Sequence, residues 1–159
     1  MPDAIVLLKT DHKNLERLFK QFEKLGERAE KTKRKVVDQI IDELTLHAAI
    51  EEQHFYPAIR DAMNDLEDDV LEGLEEHHIV KNTLAELREL QPSAENFDAK
   101  VTVLIELVRH HVEEEEEEMF PKVREVFGRK ELTEIGARLE AAKSTGMRGV
   151  RPVLVAVGK

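Results

Sequence analysis

The chain carries one set of metal-binding side chains twice. His47-Ala-Ala-Ile-Glu51-Glu-Gln-His-Phe-Tyr56-Pro57 returns 64 positions later as His111-Val-Glu-Glu-Glu115-Glu-Glu-Glu-Met-Phe120-Pro121, with a His, a Glu four on, an aromatic nine on and a Pro ten on. An acid-His pair stands 35 and 34 residues upstream of the two copies, Asp11-His12 and Glu76-His77. On a helix, residues four apart stack on one face about 6 Å apart along the axis, so each His-x-x-x-Glu aims an imidazole and a carboxylate at one point. One such spacing means little in so acidic a chain, which also holds His12 with Glu16 and His110 with Glu114. The repeat of His, Glu, aromatic and Pro at equal offsets, with a further His upstream each time, is not a chance pattern. A duplicated helix pair giving two His and one Glu per copy points to a dinuclear metal centre.

The positions of these residues strengthen that reading. His12 lies on the stripe Leu8, Leu15, Phe19 and Phe22; His47 follows Ile40 and Leu44; His77 lies between Leu74 and Val80; His111 follows Leu104 and Val108. Four histidines, with Glu51 and Glu115, therefore fall on the core-facing stripes of four helices. Buried carboxylates are costly unless paired or metal-bound, so this layer calls for cations. The metal-free alternative is a hydrogen-bonded His/Glu network.

Positioning such a layer takes long helices, and the composition agrees. Of the 159 residues 36% are charged and 4% aromatic, and the apolar positions are mainly Leu, Val and Ile at helical spacing. The reading is an all-α, up-down-up-down four-helix bundle over residues 1–128, followed over 129–159 by a short fifth helix and an extended C-terminal arm. The first helix runs from Pro2-Asp3 to about Gly26, the second from about Thr32 to Met63, and the third from about Leu66 to Leu90. The fourth runs from about Ala94 to Phe127, with Ser93 as N-cap. Short connections between long helices force antiparallel neighbours. Pro57 and Pro121 fall inside helical patterns and are expected to kink or end them. The fifth helix is expected over about Lys130 to Lys143, and Gly146 with the β-branched residues after it is expected to extend the arm. The apolar run Val153 to Val157 is expected to cover apolar surface of the bundle or of a partner subunit.

The absence of cysteine excludes disulfides and thiolate metal sites, so a metal must be held by nitrogen and oxygen. A net charge of −10 argues against nucleic-acid or anionic-membrane surfaces. The basic run Lys31 to Lys35 reads as a solvated helix start. No apolar run approaches the ~20 residues of a membrane span, and the N-terminus lacks signal-peptide order. The expectation is a soluble, cytoplasmic monomer or homodimer.

His, then His-x-x-x-Glu ending in aromatic-Pro, then Glu-His, then His-x-x-x-Glu ending in Phe-Pro resembles the hemerythrin-like (HHE cation-binding) family over residues 3 to about 127. The resemblance implies two iron ions with a bridging oxo or hydroxo group. It implies His12 and His47 on one iron, His77 and His111 on the other, and Glu51 and Glu115 between them. Oxygen-carrying hemerythrins place a second His one turn beyond the first on the third helix, whereas His77 here has Lys81 four residues on and Gly73 four back. One iron is thus short of a ligand relative to those carriers unless Tyr56, His54, His78 or His110 supplies it. Gly73 leaves room beside the metal or marks a bend or close helix contact.

Such an open position favours chemistry on peroxide, oxygen or nitric oxide, catalase-like peroxide disproportionation or nitric oxide handling being the reactions the family implies. Tyr56 is the candidate to assist by hydrogen bonding or electron donation. A non-catalytic oxygen- or iron-binding or sensing module, and a purely structural acidic bundle, are the alternatives. Glu51-x-x-His54 and Glu75-x-x-His78 also spell the Glu-x-x-His of ferritin-like proteins, but the fourth helix has no counterpart. Glu114 and Glu118 are candidate partners for the ligands.

Overall fold

A computed structural model describes residues 2–26 and 29–157, with side chains described as far as 146. The fold is an up-down-up-down bundle of helices with no strand among the described residues. Helix α1 spans Ala4–Glu23, and the Asp3 carboxylate caps it by accepting from the Val6 amide at 2.8 Å. Helices α2 (Glu30–Ile50) and α3 (Tyr56–Ala62) form one rod through a π-helical turn over Glu51–Phe55. Helix α4 covers Glu67–Glu89. Helices α5 (Phe97–Glu114) and α6 (Phe120–Val126) form the last rod of the bundle, joined by a second π turn over Glu115–Met119.

The two π turns are where the structure departs most usefully from the sequence reading. Pro57 and Pro121 neither end nor sharply break their rods; each sits in the first turn of the helix after a π turn, where a missing N–H costs least. The widened turn is closed by bonds from the Tyr56 amide to the Glu51 carbonyl and from the Phe120 amide to the Glu115 carbonyl. Its effect is rotational. At about 100° per residue, an aromatic nine positions beyond the His would face away from it on a regular α-helix. The extra residue in the turn returns Tyr56 and Phe120 to the core, where both are 1% exposed.

The apolar core is divided in two by the polar layer. Leu15, Phe19, Ile40, Leu84, Phe97 and Leu104 belong to one block. Ile5, Leu8, Phe55, Ile59, Val70 and Phe120 belong to the other. Along each rod the ligand-type residues stand where one block gives way to the other: His12 between Leu8 and Leu15, and His77 between Val70 and Val80.

Three expectations are corrected. Ser93 does not cap α5, which starts at Phe97 after a turn, with Asn96 at the N-cap and no side-chain capping bond. The basic run is not wholly solvated. Lys33 is 3% exposed and bonds Asp98 at 2.8 Å, and Arg34 donates to the Leu87 and Leu90 carbonyls at the end of α4, closing groups that the helix leaves open. The fifth helix, α7, is not short, because it runs Arg129–Val157 and takes in backbone expected to be an extended arm. Gly146 serves close packing rather than termination, since a Cβ there would lie 2.4 Å from Leu46 Cδ1. The docking expected of Val153 to Val157 concerns side chains outside the described residues. Leu132, Ile135 and Leu139 of α7 complete the second apolar block. Gly136 lets α7 cross the start of α1, where a Cβ would come 2.6 Å from the Pro2 carbonyl oxygen.

Candidate metal centre

All six side chains singled out by the repeat meet in the layer between the two blocks. His12, His47, His77, His111, Glu51 and Glu115 are each no more than 6% exposed. They form two groups, His12 with His47 and Glu115, and Glu51 with His77 and His111. The glutamates reach across both. Glu51 Oε1 is 3.2 Å from His47 Nε2 and from His77 Nε2, and 3.9 Å from His111 Nε2. Glu115 places Oε1 at 3.2 Å from His12 Nε2 and Oε2 at 3.5 Å from His111 Nε2.

The outward ring nitrogens are held just as consistently. His12 Nδ1 lies 2.6 Å from Glu116, His47 Nδ1 3.0 Å from Asp11, His77 Nδ1 2.8 Å from Glu52, and His111 Nδ1 2.7 Å from Glu76. Facing a carboxylate, each Nδ1 donates, so a neutral ring points its Nε2 lone pair inward. Spacing alone marks Asp11 and Glu76 only as companions of the neighbouring His and points to Glu114 and Glu118, whereas the structure uses Glu52 and Glu116. The missed signal is positional. The acid before each upstream His serves the His of its own half, Asp11 to His47 and Glu76 to His111. The acid after each inward Glu serves the other half, Glu52 to His77 and Glu116 to His12.

Tyr56 and Phe120 occupy equivalent places in the two halves. Phe120 stacks on His12 with ring centroids 6.0 Å apart, and Tyr56 stacks on His77 at 5.4 Å. The Tyr56 hydroxyl, which Phe120 lacks, donates to Glu115 Oε2 at 2.7 Å and lies 3.3 Å from His111 Nε2. Gly73 makes room for it, since a Cβ there would sit 3.0 Å from that oxygen. The other residues considered for an extra ligand are elsewhere. His78 is exposed, His54 is half-buried beside α7, and His110 pairs at 2.6 Å with Glu114 on the surface. Lys81, at the other flanking position, bonds Glu52 at 2.6 Å. A small cleft beside Gly73, walled by Asp69, Glu72, Glu76 and Glu114, is also lined by His111 and Glu115.

The electrostatics show what the layer lacks. Burial works against the charged form of the His47 ring, but the Glu51 charge and the bonds to Asp11 and Glu51 prevail and raise it to about 10. His111 is likewise raised well above its usual value, against burial, mainly by Glu115. Burial pushes Glu51 up, yet His47 and the other hydrogen bonds of the layer hold it well below the usual carboxylate range. Glu115 is lowered too: burial and the Glu51 charge oppose this, and His111 outweighs them. Burial and then the Glu115 charge push the Tyr56 phenol well up, so it stays protonated. Without metal, imidazolium has to balance the buried carboxylates.

Even so, His12 Nε2, His47 Nε2, both oxygens of Glu51 and Glu115 Oε1 have no well-formed hydrogen bond. Five buried polar atoms of two ligand types, aimed at one another and unsatisfied, fit a pair of cations. Four imidazoles and two carboxylates, with no sulfur, suit iron, zinc or manganese.

Fold and layer together define a helical-bundle protein that groups His and Glu for metal from two like halves. The model of the Hemerythrin HHE cation binding domain matches residues 3–123, and the chain belongs to that family. It is similar to the crystal structure of a Hemerythrin HHE cation binding domain-containing protein from Mycobacterium kansasii, with a TM-score of 0.77 and 25% identity over 95% of this chain and 93% of that one. It is also 28% identical over 138 residues to a DNA nickase of Nostoc sp. (strain PCC 7120 / SAG 25.82 / UTEX 2576). That likeness takes in 87% of this chain but 38% of the nickase, so the chain spans well under half of that protein's length.

Proposed function

We propose that the chain is a non-haem di-iron protein that binds and reacts with a small oxidant, with catalase-like peroxide or nitric oxide handling as its chemistry. The observation that carries this reading is the convergence of unsatisfied Nε2 and carboxylate oxygens inside a buried layer, with every Nδ1 anchored from outside. His12 and His47 would hold one ion, His77 and His111 the other, with Glu51 and Glu115 spanning the two. When bound, the iron pair supplies electron transfer to and from the oxidant. The protein's residues do the rest. The outer carboxylates fix each ring, and the two apolar blocks keep bulk water from the layer. Tyr56 holds a proton beside Glu115, where a bound oxidant would need one. The acid-walled cleft at Gly73 gives a small polar molecule such as hydrogen peroxide a way to the His111 side.

The test is the iron content and optical spectrum of the purified protein, followed by azide and then peroxide. About two irons per chain and near-ultraviolet bands that shift with azide support the centre, and oxygen release from peroxide supports the reaction. Azide shifts without turnover would favour an oxygen- or iron-binding or sensing module. Nicking belongs to the Nostoc protein, and the −10 charge of this chain disfavours contact with a phosphate backbone.

A further inference from the structure

The four imidazoles share one arrangement, but the carboxylates behind them do not. Asp11, which takes the His47 Nδ1 proton on Oδ2, is met on Oδ1 by the Lys143 ammonium, which reaches in from α7. Glu52, which takes the His77 Nδ1 proton, is met by Lys81 of α4 at 2.6 Å. Among the described residues, Glu116 and Glu76 have no lysine or arginine partner; their side chains are 34% and 22% exposed. Each candidate metal position therefore has one imidazole backed by a carboxylate with no lysine or arginine partner among the described residues and one backed by a carboxylate that a lysine meets. The two lysines reach their carboxylates from non-equivalent places in the chain. Lys81 lies within the matched family residues 3–123, whereas Lys143 lies beyond them on α7, 132 positions from Asp11.

Resting on the di-iron reading above, we propose that Lys143, and in parallel Lys81, are positioning residues that set how strongly His47 and His77 donate to the metal. A carboxylate behind a ligating imidazole raises its basicity and so favours the more highly charged ion. A lysine on that carboxylate withdraws part of the effect, and losing the lysine charge stabilises the ferric state. The two lysines differ in strength for a physical reason. Asp11 is 3% exposed and Lys143 24%, so that pair acts through a weakly polarisable medium. Lys81 is 49% exposed and its charge is screened by water. The same contact makes α7 part of the centre, since the helix that completes the second apolar block also supplies this charge.

The experiment is a spectroelectrochemical titration of the iron-loaded protein and of Lys143→Gln, Lys143→Arg and Lys81→Gln, with a thermal melt of each. Lys143→Gln is expected to shift the potential negative, equivalent to about a tenfold change in ferric over ferrous affinity, the lower end of what outer partners of a metal ligand contribute. Lys81→Gln shifts it the same way by less, and Lys143→Arg, which keeps the charge, leaves it near the wild type. Equal potentials in all four proteins overturn the proposal, and so does Lys143→Arg matching Lys143→Gln. If Lys143→Gln fails to fold, an unshifted Lys81→Gln on the exposed face of α4 overturns it alone. A wild-type protein that takes up no iron refutes the di-iron reading instead, and its metal analysis shows this before any potential is measured.

Discussion

Replacing His47 with alanine tests the layer at a ring held between two buried carboxylates. In the metal-free protein this ring is the cation for two buried carboxylates, 3.2 Å from Glu51 and 3.0 Å from Asp11. Breaking a buried pair by removing one partner costs about 3–5 kcal/mol. Glu51 keeps His77 at 3.2 Å and Asp11 keeps Lys143, so the cost belongs at the lower end, about 3 kcal/mol. For a chain of this size each kcal/mol moves the melting temperature by about 2–4 °C, so His47→Ala should melt about 6–12 °C lower without metal. One metal position also loses one of its two imidazoles, and iron content should fall from about two per chain to one or fewer. The assay is a calorimetric melt of metal-free protein beside elemental analysis of protein reconstituted with iron. His110→Ala is the control: its side chain is 63% exposed and pairs only with Glu114 among the described residues, so it should stay within about 0.5 kcal/mol and keep its iron. Full iron content in His47→Ala, or equal loss in His110→Ala, refutes the assignment.

Gly73→Ala gains about 1 kcal/mol of helix propensity but crowds the Tyr56 hydroxyl, 3.0 Å from the new Cβ, and shifts it against Glu115. The melt should therefore move little while the optical spectrum of the iron-loaded protein changes, and an unchanged spectrum would show that the phenol does not touch the centre. Leu139→Ala, at a position 0% exposed where α7 closes the second block, should cost about 3 kcal/mol in denaturant unfolding, and a loss under about 1 kcal/mol would mean that α7 is not docked there. The metal-free protein should lose stability with alkali. His47 is raised from 6.5 to about 10, so its contribution is complete below about 6.5 and disappears as pH rises through about 10, with His111 acting in the same direction. Glu51 and Glu115 are lowered from 4.5, so theirs is complete above that value and disappears on acidification. Iron-loaded protein, whose ligating imidazoles are already deprotonated, should lack the alkaline decline. Melts from pH 5 to 10 with and without iron check this, and metal-free protein that grows more stable above pH 7 contradicts it.

The helices and the six inward residues could be read from the sequence because period and repeat are local signals, and both acted over the same stretches. Apolar spacing put His12, His47, His77 and His111 on core faces, and the structure finds them there. The π turns are hidden because a +9 aromatic reads as a marker of duplication, although its angle on a regular helix is the real information. The outer acids were mostly missed for a different reason. In a run such as Glu113 to Glu118 every residue has the same chemistry, and only the packing angle of a neighbouring helix selects Glu116 for His12. Lys143 was out of reach altogether, because its partner is set by the docking of α7, which no spacing encodes. Gly146 misled in the opposite direction, since a glycine required for contact with Leu46 reads like a helix stop.

The divided core has a consequence for how the molecule should respond to denaturant. The slope of an unfolding transition follows the surface exposed, and among the described residues nearly all the buried apolar surface lies in the two blocks on either side of the layer. The layer itself joins them by charge. Metal loading should accordingly move the transition midpoint and leave its slope and heat-capacity change almost untouched as long as the blocks unfold together. A metal-free protein with a distinctly shallower slope would mean that the charged seam had parted and that each block was melting on its own.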